Sequence, residues 1–523
     1  MASRHQPQLI EAATALNENR LAEAERILKP YLKEDPYDPS AIRMLAELAA
    51  RIGRWHDAET LLRRAVELAP QWTAAKSNLA LVLGRMGRPA EAIGLLDEVF
   101  AEEPDQIGHM NLKAATLGRL GDFEEAIRLY EDVLARTPGQ TRVWLSYGHM
   151  LKTVGRLDEG IAAYRKAIAL QPSLGEAWFS LSNLKTVKFS DADIIAMRQA
   201  LASPGLAVQD RLHLEFALGK AMHDLKQFED AFGHYAAGNA LRLKSRPFRS
   251  RDISGVVDRC IAAATPEAFA DRQGGCDAPD PIFILGLPRS GSTLVEQILS
   301  SHSQIEGTSE LADLPALVRK VGDYPEGAFK LDADGRRAIG EEYLKRVAPQ
   351  RRTDRPFFID KLPNNWLYTP FIQLVLPNAR IIDARRHPLA CCTSNFRQHF
   401  ASGQDFTYSL DDLGRYYADY VRLMAHMDAV LPGRVQCVIY ERMVDDTEAE
   451  VRALLAYCGL DFESACLEFH RTERAVRTPS SEQVRKPIYR DATEEWRGYD
   501  AHLGPLKEAL GPVVDAYPSA PAT

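Results

Sequence analysis

Residues 281–299 read PIFILGLPRSGSTLVEQIL, and the order of residue types in this stretch decides the architecture of the C-terminal half. Pro281–Leu287 is a short apolar run between turn residues, as expected of a strand buried on both faces. Pro288–Thr293 is a Gly/Ser/Pro loop, and Leu294–Leu299 resumes as an apolar helix. A glycine-rich strand-to-helix turn makes an anion site, because its N–H groups converge and the helix dipole favours negative charge there. The spacing Gly286-x4-Gly291-x-Thr293 equals that of the Walker A loop. Ser292, however, stands where that loop has its lysine, and Arg289 puts a cation inside the turn. Without the lysine, the core of nucleoside-triphosphate cleavage is missing.

Downstream, Phe357–Asp360, Ala379–Ala384 and Val435–Tyr440 read as further strands, with helical stretches near 366–375, 388–400, 411–430 and 446–457. Alternating strand and helix implies a parallel sheet covered on both faces. Upstream the periodicity is different. Prolines stand at 36, 70, 104, 138 and 172, a constant spacing of 34 residues. Gly53, Gly87, Gly121 and Gly155 keep the same register, as do Ala24, Ala58, Ala92 and Ala126. A fixed period of this length marks a helical solenoid. Gly ends each first helix, the small Ala sits where two helices cross, and Pro closes the repeat.

These residues resemble the tetratricopeptide (TPR) pattern, most fully in the fifth repeat with Trp144, Tyr147, Gly148, Tyr164 and Pro172. Gly160 replaces the usual Ala there. The expectation is a multidomain chain: an all-α TPR solenoid of five repeats over 5–172, capping and docking helices over 173–263, and an α/β P-loop-like domain with a central parallel sheet over 281–512. Helices are expected at Leu212–Leu225 and Phe228–Leu241, while Lys185–Pro204 falls out of register.

Composition excludes several classes. A formal net charge of −8 over 523 residues argues against bulk nucleic-acid binding. No apolar run approaches the ~20 residues that span a bilayer. Seven cysteines without CxxC or zinc spacing fit free thiols in a reducing compartment, so the expected location is cytoplasmic, with no metal.

The loop Gly286–Thr293 resembles the 5′-phosphosulfate loop of sulfotransferases that use 3′-phosphoadenosine 5′-phosphosulfate (PAPS), and is most similar to the tyrosylprotein group and its TPR-bearing bacterial relatives. On that resemblance Arg289, Ser290, Gly291, Ser292 and Thr293 hold the donor. Arg386 and Ser394 hold its 3′-phosphate, with His387 where the family has Asp, and Tyr440 contacts the nucleotide. Residues 480–487, SSEQVRKP, resemble the loop that closes over PAPS, bringing Ser480, Gln483 and Lys486. Trp496 and Gly498 continue the pattern, while Glu495 stands where the family has a lysine, a charge that Arg485, Arg490 or Arg497 could replace.

The resemblance assigns catalysis to Arg289, Lys361, Ser480 and Glu310. Glu310 is the expected base, because a hydroxyl must lose its proton as it attacks; His302 is the competing candidate. Asp360 offers the alternative reading of a Walker B acid, beside a lysine that would repel the metal. The function implied is transfer of a sulfuryl group from PAPS to an acceptor hydroxyl, on a peptide or protein tyrosine, a glycan or a lipid precursor, with the TPR groove as a peptide holder or a homodimer surface. The alternatives are a P-loop kinase and a non-catalytic nucleotide-binding adaptor.

Overall fold

The computed structural model describes residues 7–270, 274–401, 403–472, 484–488 and 493–521. It divides into two compact units at Gln171/Pro172.

The first unit is five helix pairs. Its first helices are Pro7–Asn17, Pro39–Arg51, Thr73–Arg85, Ile107–Leu120 and Thr141–Val154. Its second helices are Leu21–Glu34, Trp55–Leu68, Pro89–Glu102, Phe123–Arg136 and Leu157–Leu170. The repeat residues take the places their chemistry suits. Gly53, Gly87, Gly121 and Gly155 have φ of 81°, 77°, 99° and 87°, left-handed backbone that a side chain resists. Ala24, Ala58, Ala92 and Ala126 are completely buried. Gly148 lies so close to Tyr164 that a Cβ would come within 2.6 Å of its ring.

The second unit joins the helices that follow the repeats to the α/β fold. Gly175–Asn183 is a sixth first helix, with Trp178 and Leu181 buried. The out-of-register segment contains a helix after all, Asp191–Ala202, started by a reciprocal capping box between Ser190 and Asp193. Val208–Asp224, Phe228–Ser245, Ser250–Ala263 and Pro266–Ala270 follow.

The sheet has five parallel strands: β1 Pro281–Gly286, β2 Ile305–Ser309, β3 Phe357–Lys361, β4 Arg380–Arg385 and β5 Val435–Ile439. Their order is β2-β3-β1-β4-β5, so β1 is central and every interior residue of it is buried. Strand β2 was not foreseen. Its sequence IEGTS carries a glycine and no clear alternation. The expected helix at 388–400 stops at Phe396, whose carbonyl accepts the buried amide of Asn239 at 2.9 Å.

That bond belongs to a wider contact between the post-repeat helices and the sheet unit. Lys185 and Asn183 reach Gln398, Ser250 N–H donates to Asp412, and His223 meets the Tyr499 hydroxyl at 2.8 Å. His399 lies among Phe179, Phe216, His213 and Tyr408. Burial pushes the pKa of His223 and of His399 from 6.5 down to about 3. As pH falls through 6.5 the unfolded chain takes up protons that the folded chain refuses until about 3, so this contact loses stability across that window. Melting temperature should therefore fall between pH 6.5 and 3. His399→Gln, which keeps a polar partner for Tyr408, should flatten part of that fall in a pH series of thermal melts.

Candidate active site

Every strand of a parallel sheet sends its following loop to the same edge, and ligands bind where successive connections diverge to opposite sides of one strand. Here β1 has β3 on one side and β4 on the other. The loops after β1, β4 and β5 meet at that point and line one pocket, to which they bring Arg289, Gly291, Arg386, Ser394 and Tyr440.

The β1 loop is held open by two close approaches. A Cβ at Gly286 would fall 2.4 Å from the Ala384 carbonyl of β4, and one at Gly291 would fall 2.7 Å from the Tyr440 ring. Gly291 has φ 99° and caps the helix Ser292–Ser300, while Arg289 itself is left-handed at φ 65°. Side-chain bearing residues adopt that region at a cost and mostly at functional turns. The turn is tied down from below by Asn395, whose buried amide donates to the Pro288 carbonyl at 2.7 Å.

The two arginines then lock together. Arg289 Nε donates to Ser394 Oγ at 3.1 Å, Arg386 Nη1 donates to the Arg289 carbonyl at 3.3 Å, and the Arg386 guanidinium lies 4.8 Å from the centre of the Tyr440 ring. The Tyr417 hydroxyl fixes the Arg386 carbonyl at 2.6 Å. Residues 289, 386, 394 and 440 are thus one constellation. The hydroxyls of Ser290 and Thr393 are buried with no hydrogen-bond partner among the described residues. Buried polar groups in native proteins are ordinarily paired, so two guanidiniums, two unpaired hydroxyls and a glycine turn together form an acceptor for an anion.

A second cluster meets the helix Ser292–Ser300 at Glu296. Lys361, at the end of β3, is 1% exposed and sits between Glu310 at 2.5 Å and Glu296 at 3.9 Å. Glu296 is as buried as the lysine, while Glu310 is 47% exposed on its side chain. The carboxylate that can reach a substrate is therefore Glu310, oriented by a buried cation. Glu296 carried no sequence signal; it reads as one more polar residue of an amphipathic helix.

His302 is placed differently. It is 1% exposed, its Nδ1 accepts the Gln304 N–H at 3.1 Å, and its Nε2 then donates to the Asp461 carbonyl at 3.0 Å. Both ring nitrogens are occupied in the core. Asp360 points to the opposite sheet face from Lys361, where the Tyr343 hydroxyl donates to it at 2.8 Å and burial pushes its pKa up to about 8. Asp360 is fully buried and does not line the pocket.

Ser480, Gln483 and Arg490 lie outside the described residues. Lys486 is exposed and lines the pocket. Sequence reasoning missed Arg397, which also lines it and is paired at 3.1 Å with Glu495, the residue standing at the family's lysine. Glu495 therefore faces a cation in the wall of the pocket. His387, at the family's Asp, stacks on Trp496 at 5.5 Å, and burial lowers its pKa. Among the described residues no group of three or more His, Cys, Asp or Glu is placed to hold a metal ion. None of their helices is long and apolar enough to cross a membrane.

Residues 281–464 match the model of a sulfotransferase family, and tetratricopeptide-repeat models match 15–82, 72–101 and 111–175. An uncharacterized protein of Aquifex aeolicus is 33% identical over 342 residues, 62% of this chain and 45% of its own length. Protein-tyrosine sulfotransferase 2 of Gallus gallus is 23% identical over 269 residues, 46% of this chain and 71% of that one. Among solved structures, MamA from Desulfovibrio magneticus RS-1 aligns at 18% identity with a TM-score of 0.29, over 32% of this chain and 97% of its own. The chain spans less than half the length of the Aquifex relative.

Gly291→Ala should cost about 1–2 kcal/mol from its left-handed backbone alone, with the clash against Tyr440 adding to it. Denaturant unfolding followed by circular dichroism measures this, and a neutral result would mean that the loop is free to re-form.

Proposed function

We propose that this chain, which sets tetratricopeptide repeats ahead of a sulfotransferase-family domain, moves a sulfuryl group from PAPS to an acceptor hydroxyl. The observation that carries the reading is the meeting of Arg289, Arg386, Ser394 and Tyr440 in one pocket at the head of the helix whose Glu296 touches Lys361. The pocket suits an anionic nucleotide donor, because Arg289, Arg386, Arg397 and Lys486 line it together with the glycine loop after β1.

In this reading Arg386 and Ser394 take the 3′-phosphate. The loop Arg289–Thr293, with Lys486, Gln483 and Ser480, takes the phosphosulfate. PAPS supplies the sulfuryl group when bound. Glu310 accepts the acceptor's hydroxyl proton as the new oxygen–sulfur bond forms and the bond from sulfur to the phosphate oxygen breaks, leaving 3′-phosphoadenosine 5′-phosphate. Lys361 orients Glu310 and counters charge growing on the leaving phosphate. Catalysis then rests on positioning and electrostatics, without a covalent intermediate.

The named activity of the Gallus relative supports a peptide tyrosine as the acceptor to test first. The cysteines among the described residues are all unpaired, in keeping with a cytoplasmic site of action.

Glu310→Gln should lower turnover by about 10²–10⁴-fold, the usual share of one acid–base group, while binding of the product nucleotide is retained. Full activity in that variant would remove Glu310 as the base. Independently, 3′-phosphoadenosine 5′-phosphate at a hundredfold excess over Kd should stabilise the protein by ~2.7 kcal/mol in a thermal shift. A larger shift with ATP and Mg2+ would favour phosphoryl transfer, and a shift without sulfuryl transfer would favour the nucleotide-binding adaptor.

A further inference from the structure

Residues 493–499 read TEEWRGY, and two of them fix where the second glutamate stands. The turn Glu495–His502 lies against the post-repeat helices at Gly498, where a Cβ would fall 2.8 Å from the Phe228 ring. Tyr499 is buried, meets Phe228 edge-on at 5.3 Å and stacks on His223 at 5.9 Å. The Arg397 guanidinium lies 5.3 Å from the centre of the same tyrosine ring. Glu495 is thus presented to the pocket from an anchored turn.

The two oxygens of its carboxylate differ. Oε2 is engaged, 3.1 Å from Arg397 Nη1 and 3.8 Å from His223 Nε2. Oε1 has no hydrogen-bond partner among the described residues, and the side chain is 44% exposed in the pocket wall. A carboxylate accepts hydrogen bonds and donates none, so this oxygen suits a hydroxyl or an amine and repels a phosphate. A lysine, which the resembling family has at this position, could only donate.

The neighbours of Glu495 say which donor it meets. Ser394 and Arg397 stand three residues apart at the end of the helix Pro388–Phe396, so they share a face, and both line the pocket. With a 3′-phosphate on Arg386 and Ser394, the next ligand group along that face comes to Arg397 and the acid paired with it. On a ribose the group beside the 3′-oxygen is the 2′-hydroxyl, whereas the amine of adenine lies at the far end of the nucleoside. An acidic residue on the 2′-hydroxyl is also how dinucleotide-binding folds tell a free hydroxyl from a 2′-phosphate. We propose that Glu495 is a specificity residue, which accepts the 2′-hydroxyl of the donor's ribose and excludes nucleotides phosphorylated there. The assignment rests on the reading of this pocket as the site of PAPS.

Isothermal titration of the full chain tests it with 3′-phosphoadenosine 5′-phosphate, the 2′-deoxy analogue and the isomer 2′-phosphoadenosine 5′-phosphate. The deoxy analogue should bind about ten- to a hundredfold more weakly, as loss of a hydrogen bond to a charged group implies. Glu495→Ala should bring the ribo and deoxy nucleotides to within about threefold of each other, the usual error of such comparisons. Glu495→Gln keeps an acceptor of the same length without the charge. It should hold most of the preference for the hydroxyl and bind the 2′-phosphate isomer more tightly than the native chain does. Each preference is a ratio within one variant, so a general loss of fold or affinity cancels. No binding of 3′-phosphoadenosine 5′-phosphate to the native chain would overturn the PAPS reading and this assignment together. Binding that ignores the 2′-hydroxyl, or a preference for it that survives Glu495→Ala, would overturn the assignment alone. So would a preference for 3′-phosphoadenosine 5′-phosphate over its inosine counterpart that vanishes in Glu495→Ala, since the acid would then be reading the base.

Discussion

The approach of Gly286 to the Ala384 carbonyl is the constraint on which the sheet unit turns. A side chain at 286 would meet the neighbouring strand, so β1 and β4 could not stay paired to their ends. With a glycine there, the β1 loop comes to rest against the β4 loop. Arg289 then reaches Ser394, and Arg386 reaches back to the Arg289 carbonyl. The two loops form one object because one residue lacks a Cβ.

The helix Ser292–Ser300 carries this constellation across to the acid. Its N-terminus faces the pocket and its Glu296 faces Lys361, so the anion site and the Lys361–Glu310 pair are set by a single rigid element. The helix that carries Ser394 is fixed from its other end. Asn239 bonds the Phe396 carbonyl there, and Gln398 is held by Asn183 and Lys185. The post-repeat helices are therefore part of what positions the helix that carries Ser394.

Much of this was legible in the sequence, for reasons that differ by region. The repeats were legible because four of the five carry a left-handed Gly and four a small crossing Ala at a fixed period, and those demands are local. Four of the five strands were legible as apolar runs between turn residues. β2 was not, since IEGTS is too short and too polar to stand out. Nor was Asp191–Ala202, whose cap is clear but whose register departs from the repeat. Arg397 and Glu495 lie 98 residues apart and carry no pattern that would join them.

The sequence by itself determined the residue types at the site: a cation in a glycine turn, an arginine and a serine eight apart, a lysine closing a strand, and a glutamate after β2. Each follows from local backbone chemistry that a linear reading can follow. Tertiary structure alone decided which candidates are exposed and which are closed off. Only packing places His302 between Asp461 and Gln304, closes Asp360 behind Tyr343, and leaves Glu310 at the surface against a buried lysine. Burial and partner choice depend on residues far apart in the chain, so no local pattern encodes them.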